Sequence, residues 1–164
     1  MLPVFRLLRY LSYKPEPYEL LIDNQTVKEK AFLVACGNAS QYGNNAFIAP
    51  HANIQDGKMD ITILSPFGPL DIAPLAIQLF TKQIDRNSKI KTFRGKEVTI
   101  IRQNPGVMHL DGEPIMADSR IEISVLPKSL NVLTPETVSF TEEVQNLFGE
   151  VTRFFDKKLP YIFR

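Results

Sequence analysis

From Tyr18 onward the sequence is a succession of short apolar runs separated by turn residues, and this pattern limits the folds open to the chain more than any other feature. The runs are four to seven residues long and contain many Val, Ile, Thr and Phe residues. They are Tyr18–Ile22, Ala31–Cys36, Met59–Leu64, Glu97–Arg102, Val107–Leu110, Arg120–Leu126 and Leu130–Leu133. Runs of this length and composition favour β-strands in an antiparallel sandwich or an open barrel.

Three further segments have the pattern of helices. Residues 3–11 carry apolar side chains on one face and begin with a proline, which a first helical position tolerates. Pro69–Ile84 has a similar apolar stripe, although Pro74 threatens a kink. Ser139-Phe-Thr-Glu142 has the spacing of a capping box, and apolar residues follow it at intervals of three and four. The sequence therefore predicts an amphipathic helix over 140–157.

The length of 164 residues fits one domain, and no internal repeat or Gly/Ser linker marks a second one. We expect residues 1–136 to form a mainly β domain, a two-sheet antiparallel β-sandwich with one inserted helix. Helices are expected at the N- and C-termini. Residues 137–164 then form an amphipathic helical extension that packs on or near the sandwich domain.

Charge and cysteine content exclude several classes of protein. The chain has 19 basic and 18 acidic side chains, without the basic excess of a nucleic-acid-binding domain. Cys36 is the single cysteine, which excludes an intrachain disulfide and fits a reducing compartment. No apolar run approaches the ~20 residues of a membrane span, and Met1–Leu11 lacks a signal-peptide cleavage site. We therefore expect a cytoplasmic protein that binds no nucleic acid.

The eight glycines lie at least six positions apart, so the chain contains no glycine-rich phosphate loop. Such a loop needs closely spaced glycines, because backbone N–H groups converge on an anion only where side chains are absent. If this chain serves an enzyme that uses a nucleotide, the phosphate loop must come from another part of that enzyme.

Asp56-Gly57 has the sequence of a β-turn before the run that starts at Met59. The same turn could also expose backbone carbonyl oxygens beside one carboxylate, which is a small oxygen-only site for Mg²⁺ or Ca²⁺. The residues alone leave both interpretations open.

Asp111-Gly112-Glu113 places two carboxylates at the end of a predicted strand. Strand alternation directs Asp111 and Glu113 to the same side, unless Gly112 reverses the chain. The motif is either a solvated hairpin turn or the position of a general base held at the rim of the sandwich. We expect His51 and His109 to be structural, because neither has a partner at metal-ligand spacing.

Residues 82–102 hold seven basic side chains against two acidic ones. This segment is either a solvated face or a surface that attracts anionic lipid headgroups. In the second case each basic residue near the membrane contributes ~1 kcal/mol of binding free energy.

Seven short motifs occur in an order that resembles a known family. They are Ile22-Asp23, Val34-Ala-Cys-Gly-Asn38, Tyr42-Gly43, Ile48-Ala-Pro50, Asp56-Gly-Lys-Met-Asp60, Asp111-Gly-Glu113 and Leu126-Pro127. From about residue 1 to residue 134, the chain resembles the C-terminal half of the lipid kinases that include bacterial diacylglycerol kinases and sphingosine and ceramide kinases. Enzymes of that family transfer the γ-phosphoryl group of ATP to a lipid hydroxyl. Their N-terminal domain carries a Gly-Gly-Asp-Gly-Thr nucleotide motif, and their C-terminal domain is a two-sheet β-sandwich.

The resemblance implies roles for particular residues. Glu113 matches the glutamate that accepts the proton of the attacking lipid hydroxyl, and Asp111 is its neighbour and rival. Asp56 matches the side-chain ligand of a structural Mg²⁺ site, which backbone carbonyls at Asn53 and Lys58 complete. The implied cofactor is Mg²⁺, and ATP is the co-substrate of the complete enzyme.

The implied partners are a lipid substrate, the missing N-terminal nucleotide-binding domain and an anionic membrane surface at which the protein is peripheral. The segment 137–164 lies outside the resemblance and either packs on the domain or mediates association, as in a homodimer. One departure is Gly43-Asn44-Asn45, where relatives often have a glycine run. The alternative to a kinase domain is a non-catalytic β-sandwich that binds a lipid or a protein.

Overall fold

The computed structural model describes residues 14–133, which form nine β-strands and one α-helix. The strands are β1 (Glu16–Ile22), β2 (Gln25–Ala31), β3 (Leu33–Gly37), β4 (Met59–Leu64), β5 (Ile90–Gly95), β6 (Glu97–Arg102), β7 (Gly106–Leu110), β8 (Glu113–Ala117) and β9 (Arg120–Ser124). The helix α1 (Ile72–Phe80) lies between β4 and β5, with short 3-10 helices at Pro69–Asp71 and Ile84–Arg86. The described part of the chain is therefore mainly β with one inserted helix, as predicted.

The strands form two antiparallel sheets and a separate hairpin. One sheet has the order β2-β1-β6-β9 and the other has the order β3-β4-β5, while β7 pairs with β8 alone. All of these pairs are antiparallel. Because β7 and β8 leave the sheets as a hairpin, the Asp111-Gly112 turn stands at its tip.

One hydrophobic core joins the two sheets. Its buried members include Leu20 of β1 and Val98 of β6 from the first sheet, and Ile61 and Ile63 of β4 from the second. These side chains are at most 1% exposed. A single core shared by two antiparallel sheets is the packing that a β-sandwich requires.

The predicted strands and the observed ones agree best where a run is continuously apolar. Met59–Leu64 is β4 with the predicted bounds, because five of its six residues are buried. Ala31–Cys36 was expected as one strand but contains the end of β2 and most of β3. Leu130–Leu133 was predicted as a strand and has no regular secondary structure; it follows a turn at Lys128, whose φ is 57°.

The predicted helix over Pro69–Ile84 is shorter than expected. After α1 the chain closes a turn in which the Gln83 N–H donates to the Gln78 carbonyl at 2.9 Å. Lys82 adopts the left-handed conformation there, with φ of 60°, which ends the helix. Pro74 causes no break, because it lies in the first turn of α1, where a backbone N–H has no helical acceptor.

The chain divides into two compact units between Ser129 and Leu130, and everything discussed below lies in the first unit. The predicted terminal helices at 3–11 and 140–157 lie outside the described residues. Their existence and the predicted 1–136 and 137–164 division therefore stay predictions. Within residues 14–133, no helix is both long enough and apolar enough to cross a membrane.

Candidate functional site

The two candidate catalytic carboxylates lie at the tip of the β7–β8 hairpin. Asp111 and Gly112 form a two-residue turn between the paired residues Leu110 and Glu113. Both turn residues have positive φ, 49° and 90°, as a tight hairpin turn of this type requires. The chain therefore reverses at Gly112, so Asp111 belongs to the turn and Glu113 begins β8. Both carboxylates are exposed.

Arg102 at the end of β6 holds the base of this hairpin. Its Nη2 donates to the carbonyl oxygens of Gly106 and Ala117, each at 2.7 Å, and its Nε donates to the Asp118 carbonyl at 3.2 Å. The guanidinium group thus fastens β7 and β8 to the larger sheet.

A cleft of about 1230 Å³ runs beside β3 and extends to the hairpin. Most of its lining side chains are apolar, and Asp111 and Gly112 contribute to its wall. The cleft also contacts Asp60 and Thr62 of β4 and the loop that contains Tyr42. It therefore combines an apolar interior with a small number of polar groups, the composition typical of a small-molecule site.

The loop after β3 contains the departure from the family pattern at Gly43-Asn44-Asn45. Asn44 and Asn45 have φ of 45° and 61°, so both adopt the left-handed backbone that a glycine would supply. A hydrogen bond of 2.8 Å from the Tyr42 N–H to the Ala46 carbonyl closes the loop. The asparagines thus keep a tight turn, although their side chains occupy space that a glycine would leave empty.

The predicted cation site at Asp56 is a closed turn in this structure. Asp56 Oδ1 accepts a hydrogen bond from the Lys58 N–H at 2.9 Å, which is an Asx-turn. Gly57 follows with φ of 66°. The Asn53 carbonyl accepts a long hydrogen bond of 3.4 Å from the Asp56 N–H. The turn thus brings Asn53, Asp56 and Lys58 together.

Arg94 occupies the other oxygen of the same carboxylate. Its Nη2 lies 2.6 Å from Asp56 Oδ2, and its Nε lies 3.2 Å from Asp60 Oδ1. Arg94 and Asp60 are directly opposite each other in the β4–β5 ladder, which explains how they meet. A divalent cation on Asp56 would have to share this oxygen with the guanidinium or displace it. As arranged, the donor set therefore does not fit a cation without a movement of Arg94.

Asp60 has an oxygen that is buried without a partner. The residue is 9% exposed, and its Oδ2 has no hydrogen-bond partner among the described residues. Burial raises the pKa of this carboxyl group above 3.8, although Arg94 acts in the opposite direction. Asp60 ends the motif Asp56-Gly-Lys-Met-Asp60, but no role was predicted from the sequence for Asp60 or Arg94. Asp60 could have been noticed in the sequence, because it is an acidic residue inside the apolar run Met59–Leu64.

The structure places only part of the predicted site residues on the cleft. Asp111 and Gly112 border it, while Glu113 and Asp56 are not part of its lining. Asp60, next to Asp56 through Arg94, does contribute to the lining. No cluster of three or more His, Cys, Asp or Glu side chains suited to a metal occurs between residues 14 and 133.

Comparison with known proteins gives one family match over most of the chain. Residues 3–134 match the family described as "YegS C-terminal NAD kinase beta sandwich-like domain". A Shewanella frigidimarina protein named "Probable lipid kinase YegS-like" is 30% identical over 131 residues, which cover 79% of this chain and 41% of that protein. A diacylglycerol kinase of Mycobacterium tuberculosis is 29% identical over 127 residues, covering 74% of this chain and 39% of the kinase.

Solved structures give the same fold. A crystal structure of a diacylglycerol kinase from Bacillus anthracis strain Sterne matches with a TM-score of 0.59 and 21% identity, covering 75% of this chain and 42% of that one. The chain thus spans about two fifths of the length of the curated relatives that it matches, at 41% and 39%.

Proposed function

The chain belongs to the family of the YegS C-terminal NAD kinase beta sandwich-like domain, and from this membership we propose that it is the substrate-side domain of an ATP-dependent lipid kinase. In this proposal the complete enzyme phosphorylates a lipid hydroxyl, as a diacylglycerol kinase does. The similarity to a diacylglycerol kinase of Mycobacterium tuberculosis supports the choice of substrate class.

The observation that carries the proposal is the position of the Asp111-Gly112 turn on the wall of a mainly apolar cleft. An apolar cleft suits the hydrocarbon part of a lipid, and a carboxylate at its rim suits the hydroxyl that reacts. Arg102 fixes the hairpin that presents this carboxylate. A lipid whose tail enters the cleft would thus place its polar end near Asp111, which lines the cleft, and two positions along the chain from Glu113, which does not.

In the proposed reaction Glu113 is the general base. Its carboxylate takes the proton of the lipid hydroxyl while the hydroxyl oxygen attacks the γ-phosphorus of ATP, and ADP leaves with the bridging oxygen. Asp111 supports the turn through its left-handed backbone. Phosphoryl transfer depends on positioning and on charge stabilisation around the phosphates, so it needs a second domain that binds ATP.

We propose a structural Mg²⁺ at Asp56, Asn53 and Lys58 only together with a movement of Arg94 away from Asp56. When bound, it would tie the turn before β4 by supplying a positive charge to the Asp56 carboxylate. Because Arg94 already supplies such a charge at 2.6 Å, we expect the ion and the guanidinium to compete for Asp56.

The test compares the isolated chain with a longer polypeptide that joins it to a nucleotide-binding domain. Both are given radiolabelled ATP and diacylglycerol in detergent micelles. We expect phosphorylated lipid from the longer polypeptide alone, and no micromolar ATP binding by the isolated chain in calorimetry. A longer polypeptide that binds ATP but phosphorylates no lipid would favour the alternative, a non-catalytic lipid- or protein-binding module.

A further inference from the structure

The segment from Pro69 to Phe80 exposes apolar side chains where a surface helix normally exposes polar ones. Leu70 is 92% exposed, Ile77 is 64% exposed and Phe80 is 57% exposed. Ile77 and Phe80 are three positions apart and so lie on one side of α1, and Leu70 belongs to the 3-10 turn that leads into it. Ala73 and Pro74 are exposed on the same side. We call these five residues the α1 face.

The polar groups of this segment do not cover the α1 face, because they are engaged elsewhere. Asp71 Oδ2 accepts a hydrogen bond from the Gly68 N–H at 2.8 Å. The Gln78 side chain accepts one from the Asn87 side chain at 2.6 Å. The sequence has no charged residue between Asp71 and Lys82. A contiguous exposed apolar patch of this kind marks a site of interaction with another protein or with a membrane.

The charge beside the α1 face is basic. Lys82 and Arg86 follow the helix, and both are exposed. The neighbouring acid Asp85 lies 3.2 Å from His51, between Oδ2 and Nε2, and this contact offsets its charge only when the imidazole is protonated. Two other basic residues of the 82–102 segment are paired with acids, Lys91 with Glu29 and Arg94 with Asp56. Lys82 and Arg86 together with Asp85 therefore leave an excess of one positive charge just after the helix.

The C-terminal end of α1 also contacts the loop that borders the cleft. The Leu79 carbonyl accepts a hydrogen bond from the Phe47 N–H at 2.9 Å. Lys82 Nζ lies 4.4 Å from the centre of the Phe47 ring. Tyr42 and Ile48 of this loop line the cleft. A body that covers the α1 face would therefore lie beside the loop that leads into the cleft.

We propose that the α1 face, together with Lys82 and Arg86, docks on an anionic phospholipid bilayer. Apolar side chains flanked by lysine and arginine match a surface with hydrocarbon below and phosphate above. The choice of a bilayer over a protein partner rests on the proposed function, because a lipid kinase takes its substrate from a membrane. The apolar side chains of the α1 face insert between the lipids, and Lys82 and Arg86 attract the anionic headgroups.

The absence of tryptophan from the chain allows a direct test. Phe80→Trp and Met116→Trp each give a protein with a single tryptophan. In the first variant the tryptophan lies on the α1 face, and in the second it lies on the exposed strand β8. We expect vesicles of phosphatidylcholine and phosphatidylglycerol without diacylglycerol to shift the Phe80→Trp emission to the blue, and brominated lipids to quench it. The Met116→Trp emission stays unchanged, because this residue, 71% exposed, lies outside the docking surface.

Vesicle co-sedimentation separates the apolar and charged contributions. The double variant Ile77→Gln/Phe80→Gln should weaken binding about tenfold or more, and Lys82→Gln/Arg86→Gln about tenfold in low salt. The matched control Ile54→Gln/Met116→Gln removes two apolar residues that are 61% and 71% exposed and belong neither to the α1 face nor to the cleft lining, and it should leave binding unchanged. Detergent-micelle kinase assays need no bilayer, so a failure here leaves the proposed function untouched.

Three results would overturn the proposal. Equal binding by Ile77→Gln/Phe80→Gln and the unsubstituted protein would remove the α1 face from the contact. A Phe80→Trp emission that is already blue without vesicles, at any protein concentration, would show that another segment of the chain covers the face. An emission that shifts with protein concentration alone would assign the face to a second copy of the chain.

Discussion

Arg102 donates a 2.7 Å hydrogen bond through Nη2 to the Ala117 carbonyl oxygen, across fifteen positions of sequence. The same nitrogen reaches the Gly106 carbonyl on the opposite strand, so one guanidinium group fastens both ends of the hairpin that carries Glu113. A hairpin of two strands is marginal alone, and the rigidity of this one depends on such an attachment.

Replacing Arg102 should loosen the hairpin without unfolding the sheets. Hydrogen bonds from a charged donor contribute about 1.5–3 kcal/mol each, so Arg102→Met should speed amide exchange in residues 106–117 by about tenfold or more. The control is Arg120→Met, whose guanidinium pairs with exposed Glu122 at 2.8 Å and contributes about 0–1 kcal/mol. Equal protection of the hairpin in both variants would show that Arg102 does not hold it.

Adding Mg²⁺ should raise the melting temperature by an amount that depends on Arg94, because Arg94 holds the Asp56 carboxylate. We expect Asp56→Asn to abolish any rise in melting temperature on adding Mg²⁺, because it removes the carboxylate. Arg94→Met should increase that rise, because it frees the Asp56 Oδ2 that Arg94 holds at 2.6 Å. Asp118→Asn controls for general charge effects. A rise that persists in Asp56→Asn places the ion elsewhere.

Turns and continuous apolar strands could be predicted from the sequence because their causes are local. Gly57 and Gly112 have φ of 66° and 90°, and the Asp-Gly pairs that mark these turns are visible in the letters alone. Met59–Leu64 was predicted with its observed bounds because five of its six residues are buried. The existence of the inserted helix followed from its apolar spacing.

Strands with charged or proline-containing sequences were missed, because only pairing makes them strands. β2 contains Lys28 and Lys30, and β8 contains Pro114, yet each extends along an antiparallel neighbour. The Arg94 bridge was missed for a related reason. Arg94 lies 38 positions from Asp56, and the β4–β5 register that brings it there is not encoded in local spacing.

The burial of Asp60 should make stability depend on pH. Because its pKa is raised in the folded state, the folded protein holds this proton more tightly than the unfolded chain does. Stability from this group is therefore present below pH 3.8 and is lost as the pH rises through the raised folded value. The unfolding free energy of Asp60→Asn should thus increase relative to the unsubstituted protein as pH rises from 3.8 towards 7.

Denaturant titrations at several pH values measure this difference, and an NMR titration of the Asp60 carboxyl carbon gives its pKa directly. The opposite trend, a relative gain by the unsubstituted protein at higher pH, would mean that the pairing with Arg94 outweighs burial. The folded-state pKa would then lie below 3.8.

Cys36 should be unreactive in the folded protein. Burial raises the pKa of its thiol to about 12, so almost none of it is thiolate at pH 8. Cys36 is half-buried and lines the cleft, so the raised pKa, and not exclusion of the reagent, should slow its modification by DTNB relative to the protein in guanidinium chloride. Modification that is as fast in the folded protein as in guanidinium chloride would show that the thiol pKa is not raised.

Glu113 should be required for turnover in the longer polypeptide that contains this chain and a nucleotide-binding domain. A lipid hydroxyl is a poor nucleophile at neutral pH, and a positioned carboxylate that takes its proton contributes ~10²–10⁴ in rate. Glu113→Gln keeps the size of the side chain and leaves the Asp111-Gly112 turn intact, so the fold and the ATP affinity should persist. Turnover should fall by about two orders of magnitude or more.

The matched variant is Asp111→Asn. Asparagine tolerates the left-handed backbone that Asp111 adopts at φ of 49°, so the turn should survive and the rate should change little. Circular dichroism and calorimetric ATP binding check the fold and the nucleotide site of both variants. Near-normal turnover in Glu113→Gln, together with a large loss of turnover in Asp111→Asn, would show that Asp111 is the general base. Near-normal turnover in both would remove the hairpin tip from the chemistry and leave it a solvated turn.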